Sequence, residues 1–191
     1  MPILWRQVSL KKITLNMPSK QSIALIGPMG SGKTSVGRRL ACVLKRDFFD
    51  SDHEIVARTG VSIDHIFDLE GEEGFRERET NILSELVKIP NLVISTGGGI
   101  VTRENNRKLL KKNTLVIYLS SSVEQIIQRT QNSNKRPLLE NTKDRKKTII
   151  KIVNERNPWY QETADVTIDT SGKKLYVIIN EIKKILNNEK K

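Results

Sequence analysis

Apolar runs closed by turn residues recur at Ser22 to Ile26, Asp47 to Asp50, Leu92 to Ser95, Thr114 to Leu119 and Asp165 to Ile168, and each predicts a strand. Between these runs the apolar positions change period. Val36, Leu40, Val43 and Leu44 form one helical stripe, Phe75, Ile82, Leu83 and Leu86 a second, and Val177, Ile178, Ile182 and Ile185 a third. Strands alternating with helices predict an α/β fold: a five-stranded, mainly parallel sheet flanked by helices. In such a sheet ligands lie beyond the carboxyl ends of the strands, so chemistry is sought just after each apolar run.

The chain has 191 residues, 37% of them hydrophobic, which suits one sizeable core and a single domain over residues 21–191. Residues 1–20 fit the alternation poorly and read as an N-terminal extension, either an upstream start with Met17 as the alternative initiator or a strap along the body. No apolar run reaches the roughly 18 residues of a membrane span. Met1 to Lys20 also lacks the apolar centre of a signal peptide, so a cytoplasmic protein with no membrane partner is expected. The single cysteine, Cys42, cannot form an intrachain disulfide, in keeping with a reducing compartment. Its place in an amphipathic helical pattern predicts core packing.

The net charge is +11, and over half of the excess lies between Arg129 and Lys151, where eight basic residues face two acidic ones. Nucleic acid would be one partner for such a stretch. No aromatic residue lies between Lys135 and Lys151 to stack on bases, however, so no nucleic-acid partner is expected. A solvated helix face accounts for Lys143 to Lys151 but less well for Arg136.

The sharpest local signal is Gly27-Pro-Met-Gly-Ser-Gly-Lys-Thr34, which matches GxxxxGK[ST] between an apolar strand and an amphipathic helix. Glycines let successive backbone N–H groups converge on phosphate oxygens, and a helix beginning near Gly32 adds unpaired N–H groups and a positive dipole end. Lys33 supplies a full charge for the β- and γ-phosphates, and Thr34 a hydroxyl for Mg²⁺. A phosphate-binding loop in this setting predicts a P-loop kinase fold. P-loop proteins usually hold Mg²⁺ with an aspartate at the end of a later strand. Here the corresponding strand, Leu92 to Ser95, runs instead into Thr96 and three glycines. Asp50 and Asp52, two apart at the end of another predicted strand, are the best source of the metal carboxylate. The alternative is that one of them, Asp52 foremost, only caps a helix from Asp52 to Arg58.

On the acceptor side, Gly97, Gly98 and Gly99 offer three unhindered backbone N–H groups in the ligand crevice. Arg76 falls in the first turn of a helix predicted to begin near Glu73, where the helix dipole disfavours a cation. Either an anionic ligand or surface pairing with Glu72, Glu73, Glu77 or Glu79 compensates it. Arg156 is placed near the end of a helix that Pro158 is expected to stop, a site that suits a cation without any function. Asn132 to Asn141 is polar and contains Arg136-Pro137, and so reads as a mobile lid, about residues 131–142, whose arginine is projected over the γ-phosphate.

Taken together, Gly27 to Thr34, Phe48-Phe-Asp-Ser-Asp52, Gly71-Glu-Glu-Gly-Phe-Arg76, Gly97 to Gly99, Lys135-Arg-Pro-Leu-Leu139 and Glu155-Arg-Asn-Pro-Trp-Tyr160 give a sequence that resembles the shikimate kinases over Lys20 to Asn187. The resemblance implies ATP-dependent phosphorylation of the shikimate 3-hydroxyl in aromatic amino-acid biosynthesis. It implies an ATP site of Gly30, Ser31, Gly32, Lys33, Thr34, Ser35, Arg129 and Arg136, with Arg129 near the adenine. It places Asp52 on the reacting hydroxyl, Arg76 and Arg156 on the substrate carboxylate, and Gly97, Gly98 and Gly99 around the ring hydroxyls. Thr34 and Asp50 hold Mg²⁺, and the catalytic set is Lys33, Asp52 and Arg136. A monomer with ATP and shikimate as its partners is expected. Gluconate kinase is the nearest rival reading. A regulatory GTPase is disfavoured because Asp68 to Gly71 fits a loose DxxG but no [NT]KxD guanine signature follows.

Overall fold

The computed structural model describes residues 22–131 and 144–188. The N-terminal extension, the lid expected about residues 131–142 and its Arg136 therefore lie essentially outside the described residues. Among those described, five parallel strands form one sheet in the order β2-β3-β1-β4-β5, namely β1 (Ser22–Ile26), β2 (Asp47–Asp50), β3 (Leu92–Ser95), β4 (Thr114–Ser120) and β5 (Val166–Asp169). The helices are α1 (Lys33–Leu44), α2 (Ser51–Thr59), α3 (Ile63–Leu86), α4 (Glu104–Asn113), α5 (Val123–Thr130), α6 (Arg145–Thr163) and α7 (Leu175–Asn188), with a 3₁₀ turn at Ile100–Thr102. Only the last strand departs from its predicted start. Asp165 sits just before β5 and uses its carboxylate and its own N–H to hold the N–H and carbonyl of Val116.

The central strands are apolar throughout because both of their faces are covered. Ile23 and Leu25 of β1 point to one side, where they join Val36 and Leu40 of α1 and Ile178, Ile179 and Ile182 of α7. Ala24 and Ile26 point to the other, with Ile55 of α2, Phe75, Ile82, Leu83 and Leu86 of α3, Leu110 of α4 and Tyr160 of α6. Each such fully buried aliphatic side chain contributes about 1.5–3 kcal/mol relative to exposure. None of the described helices is long and apolar enough to cross a membrane.

Two local expectations are corrected and a third is refined. Cys42 is exposed rather than packed, because the buried face of α1 is carried by Val36, Gly37, Leu40 and Ala41, and Cys42 lies one helical step beyond it. Pro158 does not stop its helix: α6 runs on to Thr163, so Arg156 is interior to the helix rather than near its end. Proline removes one helical N–H, but the turn that follows is held by Tyr160, which is buried and stacks on Tyr118 with ring centroids 5.1 Å apart. The helix expected near Glu73 is the second half of α3, which is broken at Gly71, where φ of 68° and ψ of −175° suit only glycine.

Candidate active site

β1 ends at Ile26 and the chain turns at once into the phosphate-binding loop. Gly27, Gly30 and Gly32 all take positive φ, and a Cβ on Gly27 would run into the Leu119 carbonyl of β4. Gly32 precedes α1 with no side chain capping the helix, which leaves the first N–H groups of α1 to whatever the loop binds. Lys33 is buried, and its Nζ donates to the carbonyls of Gly27 and Pro28 at 2.8 and 2.9 Å. Arg129, in the last turn of α5, donates from Nη1 to the Gly30 carbonyl at 3.0 Å.

The two aspartates divide their work differently from the sequence expectation. β2 ends at Asp50, and Asp52 belongs to the first turn of α2, so the pair is not two apart on a strand. The cap of α2 is Asp50: its Oδ1 accepts the Asp52 N–H at 3.2 Å. Its Oδ2 accepts the Thr34 hydroxyl at 2.8 Å. Asp50 stands in register with Ser95 of β3, at the carboxyl edge where the aspartate of other P-loop proteins is sought. With capping assigned to Asp50, Asp52 is left for another role. Its Oδ1 is buried with no hydrogen-bond partner. Burial and the neighbouring Asp50 carboxylate push its pKa up, against the opposing charges of Lys33, Arg76 and His53.

These residues line one cleft of about 370 Å³, walled by Gly30, Lys33, Thr34, Asp50, Asp52 and Gly98 among others. The three glycines after β3 join it to a second set of charges. The Gly97 N–H donates to Ser51 Oγ at 3.0 Å, and a Cβ on Gly97 would come within 2.7 Å of Asp52 Oδ1 and run into Glu79 Oε1. A Cβ on Gly99 would overlap the Arg76 guanidinium. The Gly98 carbonyl accepts from Arg156 Nη1 at 3.2 Å and from the Tyr160 hydroxyl. Glycine is thus needed here because side chains of α2, α3 and α6 close on the loop from every side.

Arg76 is buried and bonded to two carboxylates on its own helix, Glu79 at 2.7 Å and Glu72 at 2.9 Å. Surface pairing is one of the two readings that sequence spacing offers for Arg76, but the pairing found is not at the surface, since Glu79 is wholly buried. Burial opposes the Arg76 charge, yet the Glu79 and Glu72 carboxylates outweigh it and its pKa moves up, so it stays a cation. Glu79 itself is pushed up to about 7 from an ordinary 4.5, chiefly by burial, with Arg76 opposing and Asp52 adding to the shift. A carboxyl raised in this way favours the folded state fully below about 4.5, and that contribution is lost as pH rises through about 7. Glu79→Gln should therefore flatten the fall of melting temperature between pH 5 and pH 8. An unaltered slope would mean that Glu79 is ionised throughout.

Sequence reasoning missed Glu79, Ser51 and Tyr160. Glu79 had a signal: it lies three residues from Arg76 on the face that carries Phe75, Ile82 and Leu83. The structure otherwise brings the predicted phosphate-loop residues, Asp50, Asp52, Arg76, Gly97, Gly98, Gly99, Arg129 and Arg156 to one end of the sheet.

A family model described as shikimate kinase matches residues 29–187. The shikimate kinase of Haemophilus influenzae is 45% identical over 172 residues, covering 90% of this chain and 96% of that one. The structure of an Acinetobacter baumannii shikimate kinase in complex with shikimate superposes with a TM-score of 0.87 at 42% identity, over 90% of this chain and 96% of the other. A gluconokinase from Sinorhizobium meliloti shares the fold, with a TM-score of 0.52 at 16% identity over 88% of this chain and 94% of its own. A glycine-rich phosphate loop is common to many kinases, but these matches extend through the Asp52, Arg76 and Arg156 elements as well, and the chain belongs to the shikimate kinase family.

Proposed function

We propose that the chain transfers the γ-phosphoryl group of ATP to the 3-hydroxyl of shikimate, giving shikimate 3-phosphate and ADP for aromatic amino-acid biosynthesis. The observation that carries this reading is the convergence of two buried guanidiniums, Arg76 and Arg156, on a glycine loop that adjoins the phosphate site through Asp52. Two arginine forks select a carboxylate, and the glycine main chain beside them leaves room for a hydroxyl-rich ring.

In this assignment Gly30, Ser31, Gly32, Lys33, Thr34 and Ser35 bind the ATP phosphates, and the adenine rests in the neighbouring hollow between Arg129 and Leu175. Lys33 releases its loop carbonyls to follow the charge that grows on the transferring group. Arg136, outside the described residues, adds to the same charge by family resemblance. Asp52 accepts the proton of the attacking hydroxyl, for which its raised pKa suits it. Arg76 and Arg156 hold the carboxylate, and Gly97, Gly98 and Gly99 the ring hydroxyls.

The oxygen donors present fit Mg²⁺. Thr34 Oγ1 and Asp50 Oδ2 lie 2.8 Å apart at the cleft wall, and no cluster of three or more metal-ligating side chains exists among the described residues. That suits an ion which takes most of its shell from phosphates and water. When bound it would neutralise phosphate charge. The chain is proposed to act as a cytoplasmic monomer with ATP and shikimate as its partners.

Arg76→Lys keeps the charge but loses the fork, and should raise the KM for shikimate about tenfold with little change in the KM for ATP. Unchanged shikimate KM would remove Arg76 from the carboxylate site. The function as a whole is tested by shikimate-dependent release of ADP, with the product identified by mass and by phosphorus NMR.

A further inference from the structure

Gly98 is held from two sides. A Cβ added to Gly98 would lie 3.3 Å from the Met29 nitrogen of the phosphate loop, and the Gly98 carbonyl accepts from Arg156 Nη1 and from the Tyr160 hydroxyl. Tyr160 is nearly fully buried, in α6, and its ring lies 22° from parallel with that of Tyr118 in β4. Burial pushes its phenol pKa up, so it remains a donor at every physiological pH. A planar trans peptide points its C=O and its N–H in opposite directions. Fixing the Gly98 carbonyl towards α6 therefore aims the Gly99 N–H away from α6, and that N–H has no partner among the described residues.

We propose that Tyr160 is a positioning residue for the acceptor: its hydroxyl locks the Gly98–Gly99 peptide so that the Gly99 N–H faces the bound hydroxylated acid, at a fixed distance from the phosphate loop. Arg156 shares the carbonyl through one of its five N–H groups. As its guanidinium turns to a substrate carboxylate that bond weakens, whereas the Tyr160 hydroxyl, whose oxygen also faces Arg156, has a single proton to give and gives it to Gly98, which keeps the peptide in place. The inference rests on the proposed use of shikimate.

Tyr160→Phe removes one oxygen and keeps the stacked ring. It should raise the KM for shikimate about 5- to 20-fold while the KM for ATP stays within twofold. Tyr118→Phe is the control. It removes a hydroxyl that donates to Asn157 Oδ1 at 3.0 Å in the same cluster, without touching Gly98, and should leave both KM values within twofold. A folded Tyr160→Phe protein with unchanged shikimate KM, or with both KM values raised alike, overturns the proposal. Independently of any variant, the Gly99 amide of the wild-type protein should gain at least tenfold protection from hydrogen exchange when shikimate is added; no gain also overturns it. If wild-type protein does not phosphorylate shikimate at all, the functional reading fails first, and the two failures are thereby told apart.

Discussion

Asp52→Asn is expected to lower kcat about 10³-fold while ATP binds within threefold of the wild-type affinity. General-base catalysis by a positioned side chain is worth roughly 10²- to 10⁴-fold, and an amide cannot accept the proton. The geometry makes the substitution clean. Asparagine has the size of aspartate, and Asp50 rather than Asp52 caps α2. The buried Oδ1, unpartnered in the free protein and facing Gly97, is the oxygen that the reacting hydroxyl would meet. Removing a charge that burial and Asp50 both oppose should also leave the melting temperature unchanged or slightly higher. Turnover within tenfold of wild type would send the base assignment to another group, with Glu79, whose buried Oε1 also lacks a hydrogen-bond partner beside Gly97, the first to test.

Lys33→Met should lower kcat/KM for ATP by about 10²- to 10³-fold, with the larger share in kcat. Methionine keeps most of the buried stem, so the packing beneath the loop survives, but the positive charge is lost. The lysine charge matters most in the transition state, when negative charge is spread over the phosphoryl group in transit between two oxygens and water is excluded. The loop itself should persist, because its shape comes from the positive φ of Gly27, Gly30 and Gly32 and from the Arg129 bond to the Gly30 carbonyl. A variant with wild-type kcat and only a weaker ATP KM would make Lys33 a binding residue and shift the transition-state charge elsewhere.

Strands are the most legible part of this chain because each is buried on both faces and therefore written as an unbroken apolar run, as in Leu92-Val-Ile-Ser95. The phosphate loop is legible for a different reason: its chemistry needs glycine, lysine and threonine at fixed spacing, and few other combinations would serve. The missing strand aspartate directs attention to Asp50, which the β2–β3 register places beside Ser95.

What is not legible depends on how helices meet. The spacing of Glu79 from Phe75, Ile82 and Leu83 puts it on the apolar face of α3, but only the docking of α3 shows that this face buries a carboxylate against the glycine loop. Pro158 reads as a stop from its lost N–H, but the packing of Tyr160 outweighs that local preference. Cys42 shares the apolar character of its neighbours and still faces solvent, because hydrophobicity alone does not fix the phase of a short helix. In each case a tertiary contact decides what the residue type leaves open.

The central claim is that the two arginines and the glycine loop select shikimate as the acceptor opposite the ATP phosphates. A coupled assay of ADP release with ATP and Mg²⁺, run side by side with shikimate and with gluconate, tests it directly. The account predicts saturable turnover with shikimate, a product phosphorylated at the 3-hydroxyl, and no stimulation by gluconate. Turnover with gluconate and none with shikimate would contradict it.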